Sequence, residues 1–166
     1  MISEEQFQAE LDRIIRTSLQ EDIGEGDHSS LACIPAEAVG KAKLLVKDEG
    51  ILAGVAFAQQ VFRAVDADLK METVLQDGAE VNYGDIAFYV EGRSRSLLMA
   101  ERLVLNAMQR MSAVATKTHS YVQLLEGTST KLLDTRKTTP GIRALEKWAV
   151  RIGGGENHRL VIYDTW

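Results

Sequence analysis

Apolar positions along this chain change their period several times, and each change predicts an element. Ser3-Glu4-Glu5-Gln6 has the form of a capping box, and Phe7, Leu11, Ile14 and Ile15 follow at helical spacing. That helix should end near Glu21. The segment 22–30 is glycine-rich and polar, the composition of a loop. Residues 41–47 (K-A-K-L-L-V-K) read as a strand closed by Asp48-Glu49-Gly50, and Val55, Ala58, Val61, Phe62 and Val65 make a short amphipathic helix. Residues 71–75 and 86–91 are two further strand candidates, separated by turn residues around Asp77-Gly78 and Tyr83-Gly84-Asp85.

The pattern then changes. From residue 96 to about 126 there is neither proline nor glycine, and Val104, Met108, Met111, Ala115, Val122 and Leu125 repeat at helical spacing. This predicts one long helix, or two joined end to end, with Met108 and Met111 in its core stripe. Residues 131–133 form a short strand candidate. Thr139-Pro140 offers an N-cap followed by proline at the first helical position. Ile142, Leu145, Ala149 and Ile152 continue that helix until Gly153-Gly154-Gly155 stops it, Trp148 on it being a packing residue, and residues 160–163 open another strand. Residues 1–112 therefore predict an α+β N-terminal domain, a small sheet with helices that includes the start of the long helix. Residues 113–166 run strand, helix, strand, the first units of an incomplete α/β barrel. A last strand with no helix after it leaves an apolar face uncovered, so the barrel is expected to be truncated within this chain.

Composition narrows the class. With 166 residues and 45% hydrophobic content the chain can hold one domain plus part of a second, and 26% charged residues with two prolines describe a soluble globular protein. The longest nearly apolar run, 51–58, is far short of the ~20 residues that cross a bilayer. The acidic start, Met1-Ile2-Ser3-Glu4-Glu5, lacks the features of a signal peptide. The lone Cys33 cannot form an internal disulfide and reads as a small buried hydrophobe. A cytoplasmic location follows as the default, with no membrane segment. The formal net charge of −5 argues against a nucleic-acid partner. Yet between Asp134 and Asp164 six basic residues (Arg136, Lys137, Arg143, Lys147, Arg151, Arg159) stand against four acids.

That bias coincides with candidate chemistry. Arg136-Lys137 follows one predicted strand and His158-Arg159 precedes the next, the places where strand–helix–strand units bind ligands. Arginine pairs with a carboxylate through a planar fork, lysine adds a compact charge, and Thr135 and Thr138 add hydroxyl donors. Cations on adjacent loops repel one another unless an anion joins them. A solvated surface with charges by chance is the plain alternative, and the spacing by itself does not choose between the two. His28, His119 and His158 are too far apart in sequence for a recognisable metal motif. The triple glycine lacks the G-x-G-x-x-G pattern.

D-T-R-K-T-T-P-G-I-R at Asp134–Arg143, the E-K-W-A-V spacer, and G-G-G-E-N-H-R with Asp164 after it resemble the quinolinate phosphoribosyltransferase family, also called nicotinate-nucleotide pyrophosphorylase. So do E-D-I-G-E-G-D from Glu21 and A-E-R-L-V-L-N from Ala100. His28-Ser29 departs from the apolar residue and threonine expected after Gly26-Asp27. The resemblance implies that Arg136, Lys137, Thr138, His158 and Arg159 bind the carboxylates of quinolinate and nearby phosphate, and that Arg102 reaches into the active site of a neighbouring subunit of a homodimer. No catalytic side chain is singled out. The implied reaction transfers the ribose phosphate of phosphoribosyl pyrophosphate to the pyridine nitrogen of quinolinate. Pyrophosphate and then CO₂ are lost, giving nicotinate mononucleotide for NAD biosynthesis. The sugar centre becomes oxocarbenium-like, so the site positions reactants and stabilises charge, and no nucleophilic side chain is required. The residues that hold phosphoribosyl pyrophosphate with its Mg²⁺ are expected beyond residue 166, which makes the chain by itself inactive. Two alternatives stand beside this: a phosphoribosyltransferase-like paralogue of other substrate, such as the molybdenum-transport-associated relatives, and a non-catalytic domain for assembly or anion binding.

Overall fold

The computed structural model describes residues 3–158; Arg159 and the strand expected at 160–163 lie outside them. Helix α1 spans Glu4–Ile23, and its capping box is formed in both directions between Ser3 and Gln6. Its apolar stripe buries Leu11, Ile14 and Ile15. Where a loop was expected, residues His28–Cys33 form a short helix, α2. Asp27 starts it by accepting the backbone N–H of Ser30 at 3.1 Å and by bonding the Ser30 hydroxyl, side-chain capping that a count of glycines and polar residues does not weigh. Cys33, expected to be buried, is exposed at the end of this helix.

Strands β1 (Val39–Leu45), β3 (Lys70–Thr73) and β5 (Ile86–Arg93) make an antiparallel sheet in the order β1-β5-β3. Two two-residue strands, β2 (Gly50–Ile51) and β4 (Glu80–Val81), pair separately and are too short for a periodicity to announce them. Helix α3 (Val55–Val65) and helix α4 (Ser94–Leu124) cover the larger sheet, with Phe57, Val61 and Phe88 essentially inaccessible and Phe62 edge-on to Phe88. The start of α3 shows why its glycine is there. Gly54 sits at φ +100, and a Cβ on it would stand 3.0 Å from Met108 Cγ. It cannot cap, so Asp77 reaches across to accept the N–H groups of Val55 and Ala56 at 2.8 and 3.2 Å. The end of α3 is tied to the start of α4 through Asp66, which accepts two bonds from Arg93 (both 2.9 Å) and one from Ser96 (2.7 Å).

The long helix is one helix of 31 residues, about 46 Å at 1.5 Å per residue. Val104, Met108, Met111 and Ala115 form its buried stripe, as the spacing predicts. Two expectations beyond it are corrected. Residues 131–133 make no full strand: Leu133 forms a single parallel bridge to Glu156. Helix α5 spans Arg143–Ile152, so Thr139-Pro140 does not start it. Gly141 takes φ +86, which breaks the helix there, and the Thr139 N–H and hydroxyl are taken by Glu146 instead of by a capping turn. Trp148 packs edge-on against Phe7 of α1, the structural role the pattern gave it.

Candidate anion-binding site

Two short segments run side by side to build the site. The Glu156 N–H donates to the Leu132 carbonyl at 2.9 Å and the Asp134 N–H to the Glu156 carbonyl at 3.0 Å, so both segments point the same way and their ends meet. The triple glycine makes this return possible. A Cβ on Gly153 would lie 2.4 Å from the Ala115 carbonyl oxygen, and one on Gly155 2.8 Å from Val150 Cγ1. These glycines end α5, as expected, and they also let the chain pass hard against α4.

Asp134 lies where the segments meet. Its Oδ2 accepts from Lys147 Nζ at 2.6 Å and from Asn157 Nδ2 at 2.7 Å, while Oδ1 accepts the His158 backbone N–H at 2.9 Å. Asn157 Nδ2 also donates to the Lys147 carbonyl at 2.9 Å. The side chains of Lys147 and Asp134 are each only 3% exposed, an ion pair removed from solvent. Lys147 thus does not belong to the cationic surface that the basic-residue count suggested.

The loop that follows carries Arg136, half-buried, and Lys137, exposed. Thr135 Oγ1 accepts the Lys137 N–H at 3.1 Å, tightening the turn. Thr138 Oγ1 accepts from Arg143 Nε at 3.0 Å. Among the described residues, the ion pairs leave Arg136 and Lys137 without a carboxylate partner. At the loop's far end Glu146, 6% exposed, accepts the Thr139 N–H at 2.9 Å and its hydroxyl at 2.7 Å. Glu146 also accepts two bonds from Arg110 of α4, at 2.6 and 2.8 Å. Burial pushes the Glu146 carboxyl up, but the Thr139 bonds and the Arg110 guanidinium outweigh it and hold the group below its ordinary range.

Of the residues predicted from sequence, Arg136, Lys137 and Thr138 lie on the loop that Asp134 opens, His158 gives its backbone N–H to Asp134, and Arg159 lies outside the described residues. Arg102 is placed elsewhere. It stands 72% exposed on α4, paired with Asp22 of α1 at 2.6 Å, and lines a cleft of about 350 Å³ between α1, α4 and α5 with Ile14, Asn106, Arg110 and Leu145. Sequence reasoning missed Asp134, Glu146, Lys147, Asn157 and Arg110. The available signal was the adjacent Glu146-Lys147 among the buried positions Ala144, Leu145 and Ala149 of a strongly amphipathic helix. Among the described residues no group of three or more His, Cys, Asp or Glu side chains is placed to hold a metal ion. No described helix is long and apolar enough to cross a membrane.

The chain is similar to known proteins along its whole described length. It is 44% identical over 156 residues to the decarboxylating quinolinate phosphoribosyltransferase 1b of Nicotiana tabacum, covering 93% of this chain and 44% of that protein. Against the chloroplastic carboxylating nicotinate-nucleotide pyrophosphorylase of Oryza sativa subsp. japonica it is 42% identical over 156 residues, again 93% of this chain and 42% of the relative. The solved structure of NadC from Streptococcus pyogenes superposes with a TM-score of 0.89 at 37% identity, covering 99% of this chain and 57% of that one. The chain therefore spans about half the length of the relatives it matches. Residues 27–112 match the family model for the quinolinate phosphoribosyl transferase N-terminal domain, and residues 114–166 match that for its C-terminal domain. On these matches, in the order and spacing the motifs require, the chain belongs to the quinolinate phosphoribosyl transferase family.

Proposed function

We propose that the complete protein transfers the phosphoribosyl group of phosphoribosyl pyrophosphate to the nitrogen of quinolinate, releasing pyrophosphate and CO₂ and forming nicotinate mononucleotide for NAD biosynthesis. One observation carries this reading: Asp134, at the start of the loop with Arg136 and Lys137, also accepts the His158 backbone N–H, so two segments bearing basic residues run together at their ends, and in this reading a small dicarboxylate joins those residues. Arg136 offers a bidentate fork and Lys137 a point charge, which suits two adjacent carboxylates better than one. Their part is to bind and orient, and to hold the ring nitrogen toward the sugar. Once that nitrogen is alkylated, the cationic ring accepts the electron pair left by the departing carboxylate. Arg159 extends the same group by its sequence position. Mg²⁺ accompanies phosphoribosyl pyrophosphate in this reading, and among the described residues no group of three or more His, Cys, Asp or Glu side chains is placed to hold it.

Arg102, exposed and remote in sequence from the loops, serves a second copy in this reading, each protomer of a homodimer lending it to its partner's site. A cytoplasmic setting is consistent with the single, unpaired cysteine. Titration calorimetry on the full-length protein tests the function: quinolinate binds and nicotinate, with one carboxylate, binds much more weakly. Equal affinity for the two, or binding of neither, overturns it.

A further inference from the structure

We propose that Glu146 and Lys147, adjacent on α5, are positioning residues that clamp the two ends of the cationic loop, resting on the reading of that loop as a quinolinate site. Consecutive residues on a helix point about 100° apart. Here that divergence sends Lys147 to Asp134, where the loop begins, and Glu146 to Thr139, where it ends. Both are buried, at 2% and 6% exposure, in a helix stripe otherwise filled by alanine and leucine. A buried charge is costly unless it is paired and hydrogen-bonded, and apolar residues of similar volume generally stabilise a fold at least as well. Stability by itself thus gives little reason for two opposite charges here. Position gives one.

With both ends fixed, the residues between have little conformational freedom, and they include Arg136 and Lys137. The repulsion between these cations is borne by the clamp and not relieved by loop expansion, which keeps the site ready for a dianion. Through Asp134 the Lys147 end also governs the second segment, because the same carboxylate holds the Asn157 amide and the His158 N–H. Through Arg110 the Glu146 end is fixed to α4, the helix that carries Arg102. One helix turn of α5 therefore holds both ends of the loop that carries Arg136 and Lys137, and through Asp134 the backbone of His158.

Two measurements on the full-length protein decide this, using Glu146→Leu, Lys147→Met and the milder Glu146→Gln and Asp134→Asn. The first is hydrogen exchange over residues 134–139 and 156–158 without any ligand. The clamp predicts faster exchange there, with α1 and α3 unchanged. The second is the quinolinate Kd by calorimetry, at a temperature where every variant is folded. Misplacement of about an ångström predicts a rise on the order of tenfold or more, with Glu146→Gln intermediate because its amide oxygen still accepts a bond. A residue that only stabilises the fold lowers the melting temperature and leaves this Kd unchanged. Unchanged exchange in the loop, or folded variants within about twofold of the parent Kd, overturns the clamp. Should the parent protein not bind quinolinate, the proposed function fails, and ligand-free exchange decides the clamp by itself.

Discussion

Lys147 Nζ lies 2.6 Å from Asp134 Oδ2, and neither side chain is more than 3% exposed. The pair joins a helix to the start of a loop 13 residues earlier, and removing one member leaves the other charged in a site that water does not reach. Lys147→Met should therefore cost about 3 kcal/mol or more, as breaking a buried pair does. The double variant Asp134→Asn, Lys147→Met should cost less than the sum of the two single changes, because it removes both charges together. Urea denaturation of the four proteins measures this, and additive costs would show that the pair is not coupled.

Asp66 contributes to the acid response of the fold. The Arg93 guanidinium, then the Ser96 hydroxyl, lower its carboxyl from an ordinary 3.8 to about 2. In the unfolded chain the group takes up its proton near 3.8, so between 3.8 and 2 the unfolded state binds more protons and gains on the folded one. The Asp66 contribution is fully present above about pH 5 and is lost as pH falls toward 2. Asp66→Asn should flatten that part of the stability profile. Thermal melts between pH 6 and about pH 2.5 make the comparison, and parallel profiles would exclude Asp66 as the cause.

Gly153 faces the long helix with no room for a side chain. A methyl group there meets the Ala115 carbonyl oxygen at 2.4 Å and Thr118 Cβ at 2.8 Å, and helix backbone cannot give way as a flexible side chain can. Gly153→Ala should destabilise by about 1–3 kcal/mol through overpacking. Its φ of −75 is one that alanine adopts freely, so the cost comes from the contact, and a neutral result in denaturant would show that α4 yields to the added methyl.

Arg102 gives a test of shared sites. If each protomer lends Arg102 to its partner, Arg102→Ala and Arg136→Ala chains are each inactive, and mixing them regenerates intact sites in the mixed dimers. Random exchange makes half of the dimers mixed with one intact site apiece, so about a quarter of the parent activity should return. No recovery after subunit exchange, verified by differently tagged chains, means that Arg102 serves its own protomer.

Much of this architecture is written locally. The Ser3–Gln6 capping box and the apolar stripes of α3 and α4 are properties of neighbouring residues, which backbone geometry reads at fixed periods. The segments rich in arginine, lysine and histidine were legible for the same reason, being contiguous. The sequence alone thus determined the helices and strands with an apolar period and the family, and it nominated the basic segments as anion binders. It did not reveal that α5 starts at Arg143, since that depends on Glu146 taking both donors of Thr139 seven residues away. Nor did it separate Lys147 from Lys137. In sequence both are lysines in a basic stretch, yet one is sealed against Asp134 and the other faces solvent. Whether a charge is buried is set by a partner that only the folded chain brings within 3 Å. Tertiary structure alone therefore decided that Asp134, Glu146, Lys147 and Asn157 hold the site's two segments together, because desolvated charges and short carboxylate bonds join residues with no periodic relation along the chain.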